Sequence, residues 1–159
     1  MSVDQLEFRR VMGHFATGVT VVTTHDGAGK LGGLTANSVA SVSLDPPMLL
    51  VCVDKTSDSY PMFAASDCFA VNVLSNEQET LSRRFAKSGG DKFTGIGFRI
   101  GVTGAPILTD TIAHLECTVR HAFDAGDHTI YVGEAVDIAA SSEGEPLLYF
   151  RGGYRNLSA

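Results

Sequence analysis

The chain has 159 residues, 44% of them hydrophobic and 19% charged, a balance typical of one globular domain and not of a disordered segment. Its net charge of −6 argues against a nucleic-acid or anionic-membrane partner, because such surfaces are met by clustered lysine and arginine. We find no signal peptide and no apolar run long enough to span a bilayer. The length of the chain predicts a single domain over residues 1–159. Three cysteines without a C-x-x-C pair favour reduced thiols, so we expect the protein in the cytoplasm.

The first elements in chain order are a helix and two strands. Ser2 and Gln5 have the spacing of a capping box, which predicts Ser2 as the N-cap of an amphipathic helix. Residues 19–24 are almost all β-branched and favour a strand, followed by turn residues at 25–29 and a second strand at 33–37.

In the middle of the chain, residues 38–44 are extended or irregular, and Pro46 and Pro47 end this segment because proline cannot donate a ladder hydrogen bond. The apolar run 48–53 that follows has the length of a strand. A short helix follows, capped by Ser57 or Asp58 and ending at Ala65, with Pro61 in its first turn. Residues 68–74 are typical of another strand. Ser75 and Gln78 form a second capping box, and this helix should end near Ala86.

The last third alternates apolar and polar residues, which predicts a hairpin of residues 113–123 and 129–138 around the turn 124–127. One face of its first strand should carry Ala113, Leu115, Cys117, Val119 and Phe123, and the opposite, polar face His114, Glu116, Thr118 and Arg120. His114 and His121 would face opposite sides of a regular strand, so we expect no metal site. A short strand at 147–150 ends the pattern.

These strands are mostly consecutive, and the few helices do not alternate with them, so a parallel βαβ sheet is disfavoured. We expect a mainly β fold: an antiparallel barrel with helices packed outside it. The G-x-G-x-x-G pattern at 27–32 opens no helix, so it indicates a hairpin turn and not a dinucleotide-binding loop. No serine-nucleophile motif and no carboxylate pair on one face emerges.

Two polar segments at strand ends are the remaining candidates for a ligand site. Residues 35–38 with Ser41, and residues 52–59, are rich in small hydroxyl and amide groups that could bind a heteroaromatic edge or a phosphate. Ordinary turns and N-caps explain the same composition, and both interpretations stay open. His128, beside Asp127 after a glycine turn, could donate hydrogen bonds or titrate near neutrality.

Six segments in this order resemble the short-chain flavin reductases of the FMN-binding split-barrel fold, the reductase components of two-component flavin monooxygenases. They are FATGVTVVT (15–23), GLTANS (33–38), VSLDPP (42–47), FAVNVL (69–74), GDH (126–128) and YFRGGY (149–154). The resemblance implies a six-stranded antiparallel, Greek-key barrel, a homodimer, and hydride transfer from NADH or NADPH to FMN or FAD. The reduced flavin would supply a partner monooxygenase.

Carried onto matching positions, the resemblance implies a set of cofactor-binding residues. These are Thr35, Ala36, Asn37, Ser38 and Ser41 at the ring and ribityl chain; Cys52, Val53 and Asp54 along the cofactor; Lys55, Ser57 and Ser59 near the phosphate; and Arg84, Phe85 and Ala86 extending the pocket. His128 would lie beside the nicotinamide as the catalytic position, with Tyr154 stacking nearby and Arg151 adjacent. Two alternatives are a non-catalytic flavin carrier and an oxidase of the pyridoxamine-phosphate type on the same barrel.

Overall fold

The computed structural model of the protein describes residues 2–157, and β-strands dominate it. In chain order the strands are β1 Thr17–Gly18, β2 Thr20–His25, β3 Leu31–Ala36, β4 Val39–Leu44, β5 Pro47–Asp54, β6 Cys68–Val73, β7 Phe98–Ile100, β8 Pro106–Leu108, β9 Ala113–Ala125, β10 His128–Ala140, β11 Leu148–Phe150 and β12 Gly153–Arg155. The expected mainly β class is confirmed.

Three helices flank the strands: α1 Gln5–Met12, α2 Tyr60–Ala65 and α3 Glu79–Ala86. The N-cap of α1 is Asp4 and not Ser2 as predicted, because the Asp4 carboxylate accepts the Glu7 amide N–H at 3.0 Å. The second capping box is confirmed: the side chain of Gln78 accepts the backbone N–H of Ser75. This box opens a 3₁₀ turn that continues into α3.

The main sheet contains seven antiparallel strands in the order β3-β2-β6-β9-β10-β5-β4, one more than the six expected. The additional strand is β4, a segment predicted only as extended or irregular chain. The two edge strands, β3 and β4, follow each other in the sequence and are joined by Asn37 and Ser38 alone. Since two residues cannot bridge opposite edges of a flat sheet, the sheet must curl into an open barrel.

The barrel interior is filled by alternating side chains, as period-2 strands require. In β5 the buried positions are Leu49, Val51 and Val53, and they pack with Phe69 of β6 in one cluster. A second cluster, which includes Phe85 of α3, lies outside the barrel. The predicted hairpin is also confirmed, because β2 and β3 pair from Thr20–Ala36 to His25–Leu31. Its turn is shorter than the predicted 27–32, since Leu31 and Gly32 already belong to β3.

The long β9–β10 hairpin departs from a regular ladder at two places. Its register shifts beside Arg120 and again beside Val136, so the assumption of a regular strand does not hold between His114 and His121. Glu116, predicted on the polar face of the first hairpin strand, is fully buried. The β7–β8 connection covers this face: the Thr103 N–H and hydroxyl both donate to Glu116 Oε2, at 2.9 and 3.0 Å.

Candidate active site

The corner between β3 and β4 joins the two polar segments singled out in the sequence. The Ser38 hydroxyl donates to the Cys52 carbonyl, and the Cys52 N–H donates to the Ser38 carbonyl, both at 3.2 Å. Ala36 is buried at the end of β3, whereas Asn37 in the connection is exposed. The exposed groups at this corner are therefore the Asn37 side chain and the end of β3, with the small Cys52 side chain beside them.

The pairing of β5 with β10 adds His128 to this corner. Asp54 lies directly opposite His128, and Cys52 opposite Ile130. Beyond the paired residues, the Lys55 N–H donates to the Asp127 carbonyl at 3.0 Å. Thus the G-D-H turn and residues 52–55, which are about 70 positions apart in sequence, form one continuous surface.

His128 is held by its neighbour. Its Nδ1 lies 2.7 Å from Asp127 Oδ1, and this hydrogen bond lowers the pKa of the Asp127 carboxyl. An ionised carboxylate only accepts hydrogen bonds, so Nδ1 carries a proton, and when the ring is neutral Nε2 carries the lone pair. The side chain of His128 is 39% exposed, so Nε2 is accessible to a ligand.

Five of the expected residues line a cavity of about 230 Å³ beside this corner: Thr35, Asp54, Ser57, Phe85 and Ala86. A larger cavity of about 740 Å³ borders it, and the two share Asp58 and Lys92 as wall residues. Glycines contribute much of the larger wall, including Gly32 and Gly33 of β3. Together the cavities have the size and mixed polarity of a nucleotide-binding groove.

Lys92 lies between the two cavities and was not identified from the sequence. Its ammonium donates to the carbonyls of Gly33 and Phe85, each at 3.2 Å, and burial lowers its pKa. A lysine in a glycine-bearing polar loop carries no periodic signal, so only the folded arrangement reveals it. It supplies a positive charge where the expected site needs to hold a phosphate.

Ser59 and Lys55 have structural partners. The buried Ser59 hydroxyl donates to the Gly33 carbonyl at 2.8 Å and accepts the Gly33 N–H at 3.0 Å, which ties the start of α2 to β3. The Lys55 ammonium is bonded to Asp124 and, at 2.7 Å, to the Gly126 carbonyl. Lys55 therefore anchors the β9–β10 turn on which His128 stands.

Tyr154 is connected to the corner through Ser82, which the sequence analysis did not identify. The Tyr154 hydroxyl lies 2.7 Å from Ser82 Oγ, and the Thr35 hydroxyl donates to the Ser82 carbonyl at 2.5 Å. The Arg83 guanidinium lies 4.8 Å from the centre of the Tyr154 ring. These contacts fix the Tyr154 ring against α3.

The other expected residues lie at the margins of this surface. Arg84 donates to the Thr94 carbonyl at 2.5 Å and so turns toward the loop that carries Lys92. Ser41 is exposed on the edge strand β4, and the inner-facing Val53 is fully buried in the barrel core. Arg151 adopts a positive φ of 50°, with its guanidinium 5.0 Å from the centre of the Phe150 ring.

Comparison with known proteins identifies relatives along nearly the whole chain. The family model described as "Flavin reductase like domain" matches residues 12–158. A Rhizobium meliloti protein named "Probable flavin reductase" is 46% identical over 95% of this chain, which spans about half (48%) of that relative. The reductase subunit HsaB of a flavin-dependent monooxygenase from Rhodococcus jostii is 40% identical, covering 98% of this chain and 80% of HsaB.

A solved structure gives the same result at the level of the fold. The NADH:FAD oxidoreductase SgcE6 of Streptomyces globisporus, in complex with NAD and FAD fragments, superposes with a TM-score of 0.92. The two proteins are 39% identical, and the match covers 98% of this chain and 93% of the other. The family expected from the sequence motifs is therefore confirmed: this chain belongs to the flavin reductase-like domain family.

Proposed function

We propose that the protein is an NAD(P)H-dependent flavin reductase, which passes hydride from a reduced nicotinamide to FMN or FAD. The observation that carries this proposal is the register of β5 and β10, which sets His128 opposite Asp54 at the mouth of the β3–β4 corner. Membership of the flavin reductase-like domain family supports flavin reduction as the reaction at this surface, and the cavity beside it has room for part of a nucleotide.

The residues around the smaller cavity fit a flavin. Asn37 and the backbone at the end of β3 offer donors and acceptors for the polar edge of the flavin ring, while Cys52 leaves room for its face. Lys92 and the hydroxyl of Ser57 lie farther along the same cavity, where a terminal phosphate would be neutralised. The remaining expected residues would contact the ribityl chain or hold this wall in place.

His128 would position the nicotinamide. Hydride transfer is chemistry that the two cofactors supply, so the protein's contribution is to hold them face to face and to exclude water. Because Asp127 holds the proton on Nδ1, Nε2 of the neutral ring accepts a hydrogen bond and matches the carboxamide NH₂ of nicotinamide. No group of this site is required to act as a general base.

The relatives differ in flavin preference. SmoA of Agrobacterium fabrum, 44% identical over 95% of this chain, is named an FMN reductase (NADH), whereas SgcE6 is named an NADH:FAD oxidoreductase. In this chain the cavity of about 740 Å³ lies next to the proposed phosphate position. It would accommodate the adenosine half of FAD, so we expect both flavins to be substrates.

We propose that the working unit is a homodimer. Helix α1 is amphipathic, yet none of its residues is buried in the single chain. Phe8 (58% exposed), Val11 (53%) and Met12 (51%) have the i, i+3, i+4 spacing of one helix face, and they form an apolar face that water solvates poorly. A second copy covering this face would also close the flavin groove. Multi-angle light scattering should give twice the 16.8 kDa chain mass.

The reduced flavin would be delivered to a separate flavin-dependent monooxygenase, as the name of HsaB states for that relative. We also propose a cytoplasmic location, since Cys52, Cys68 and Cys117 are all free thiols. No helix in residues 2–157 is long and apolar enough to cross a membrane.

Steady-state assays with each pairing of NADH or NADPH with FMN or FAD test the proposed activity. We expect nicotinamide oxidation that depends on added flavin. Flavin binding without turnover would favour the carrier alternative. Turnover of pyridoxamine phosphate with oxygen, without any need for NAD(P)H, would favour the oxidase alternative.

A further inference from the structure

A second group of polar side chains lies on the β9–β10 hairpin, far from the flavin groove. Residues i and i+2 of a strand share a face, which places His114 and Glu116 together, and Asp137 of β10 pairs directly with Glu116. One ligand atom from each of the three residues lies within 4.8 Å of the other two. Asp137 is nine positions from His128 along β10, up to about 30 Å in an extended strand.

The two carboxylates are placed where like charges repel. Glu116 and Asp137 are direct cross-strand partners, an arrangement that is destabilising unless a cation lies between the groups. Glu116 is fully buried, so water does not screen its charge. Its Oε2 accepts two hydrogen bonds from Thr103, but its Oε1 accepts none from the described residues.

The imidazole of His114 also presents a lone pair to this group. Arg99 Nη2 lies 3.2 Å from His114 Nε2, and a guanidinium only donates hydrogen bonds, so Nε2 is the acceptor in this contact. Asp137 Oδ2 lies 3.5 Å from the same nitrogen. With Nε2 as an acceptor, this nitrogen and Asp137 Oδ2 are two lone-pair atoms side by side, a pair that a cation would stabilise.

Arg99 is a positive charge near this group, but it does not contact both carboxylates closely. Its Nη1 lies 4.0 Å from Glu116 Oε1, at the limit of an ion pair, and its side chain is 53% exposed. A half-exposed arginine is free to move into solvent, because its long side chain has few fixed contacts. The group can therefore exchange a loosely held guanidinium for a metal ion.

We propose that His114 Nε2, Glu116 Oε1 and Asp137 Oδ2 form a binding site for a divalent transition-metal ion, with Zn²⁺ as the best match. One imidazole and two carboxylates are a donor set that Zn²⁺ accepts, with bonds of about 2.0–2.2 Å. In a tetrahedral site such bonds set neighbouring ligand atoms roughly 3.4 Å apart, close to the 3.5 Å between His114 and Asp137. Mg²⁺ fits less well, since it prefers oxygen ligands and six-fold geometry.

The bound ion would have a structural role. Glu116 already holds the β7–β8 connection through Thr103, and a Cβ at Gly101 would overlap the Glu116 carboxylate. A metal ion on Oε1 would fix the same carboxylate to β10 through Asp137. It would clamp β9, β10 and the overlying connection together without touching the flavin groove.

Isothermal titration of the chelator-treated, full-length protein with Zn²⁺ tests this site. We expect one ion per chain, with affinity at least tenfold weaker in His114→Gln and in Asp137→Asn. Both side chains are partly exposed, so both variants should fold. Arg99→Ala should bind Zn²⁺ more tightly than the wild type, because the competing guanidinium is gone. Flavin affinity should be unchanged in all three variants.

His121→Gln is the matched control, since it removes an exposed imidazole of the same strand that lies outside the group. Its Zn²⁺ affinity should equal that of the wild type. The proposal is overturned if the wild type shows no saturable binding of Zn²⁺. It is equally overturned if His114→Gln and Asp137→Asn bind as tightly as the wild type, or if only His121→Gln weakens binding.

Discussion

Asp54 on β5 and His128 on β10 are direct partners in an antiparallel register, so the end of one polar segment adjoins the G-D-H turn. The Asp54 carboxylate accepts the N–H and the hydroxyl of Thr56, each at 2.7 Å, and these bonds lower its pKa. It therefore stays ionised and turned back on its own loop. The imidazole of His128 is left as the group that meets a second ligand.

Replacing His128 by alanine should raise KM for NADH about 3–10-fold, because one hydrogen bond to the carboxamide is lost. The affinity for flavin should change little, since His128 lies at the outer side of the proposed groove. Initial-rate kinetics and flavin fluorescence titration measure the two quantities. His121→Ala, on the same hairpin, is the control and should match the wild type; unchanged KM in His128→Ala would remove His128 from the site.

An NADH analogue gives a sharper test of the proton assignment on His128. Reduced 3-acetylpyridine adenine dinucleotide lacks the amide NH₂ that Nε2 would accept. The wild type should therefore lose about the same factor with this analogue as His128→Ala loses with NADH. In His128→Ala the analogue and NADH should have similar KM values. A large difference that persists in the variant would contradict the assignment.

Much of the fold follows from local pattern, and the departures have physical causes. The β-branched run before β3, the capping box at Ser75 and the β9–β10 hairpin are local signals, and the structure confirms them. The burial of Glu116 depends on a connection that packs over it from a distant part of the sheet. The pattern of apolar and polar residues within β9 therefore cannot predict that the β7–β8 connection buries Glu116.

The candidate site divides in the same way. Motif order was enough to name the family, but the partners of single side chains depend on register and packing. The position of Lys55 near a phosphate stays a prediction, and the structure shows its ammonium bonded to the Gly126 carbonyl of the hairpin turn. Lys92 was overlooked because it stands in an aperiodic loop and meets the cavities only through long-range packing.

Lys92→Gln tests the phosphate position. Loss of a charge-assisted contact should weaken FMN binding about 10–100-fold, while riboflavin, which has no phosphate, should bind as before. Fluorescence titration with both flavins provides the measurement. Lys30→Gln, on the wall of the larger cavity only, should leave FMN affinity unchanged. An equal loss for FMN and riboflavin would show that Lys92 acts through the fold and not through the phosphate.

Cys52 offers a chemical probe of the flavin position. It is partly exposed, whereas Cys68 and Cys117 are buried, and burial raises the pKa of the Cys52 thiol. Iodoacetamide at alkaline pH should therefore modify Cys52 first. FMN at about ten times its Kd should slow that reaction by about tenfold, as measured by peptide mass spectrometry. Modification at the same rate with and without FMN would place the flavin elsewhere.

Alkaline stability should depend on Cys117. Burial raises the pKa of this thiol from 9.0 to about 12, so the folded state binds the proton more tightly than the unfolded chain. The resulting stabilisation is complete below pH 9 and is lost as the pH rises toward 12. In urea unfolding, Cys117→Ala should reduce the slope of unfolding free energy against pH in that window, by up to about 1.4 kcal/mol per pH unit. The same slope in both proteins would contradict this.

Anaerobic stopped-flow mixing of the FMN-loaded protein with NADH is the most direct test of flavin reduction at this groove. We expect rapid loss of the visible absorbance of oxidised flavin, with one flavin reduced per NADH. The rate should saturate with NADH and should fall in His128→Ala at sub-saturating NADH. Flavin that stays oxidised on the protein with both NADH and NADPH would contradict it.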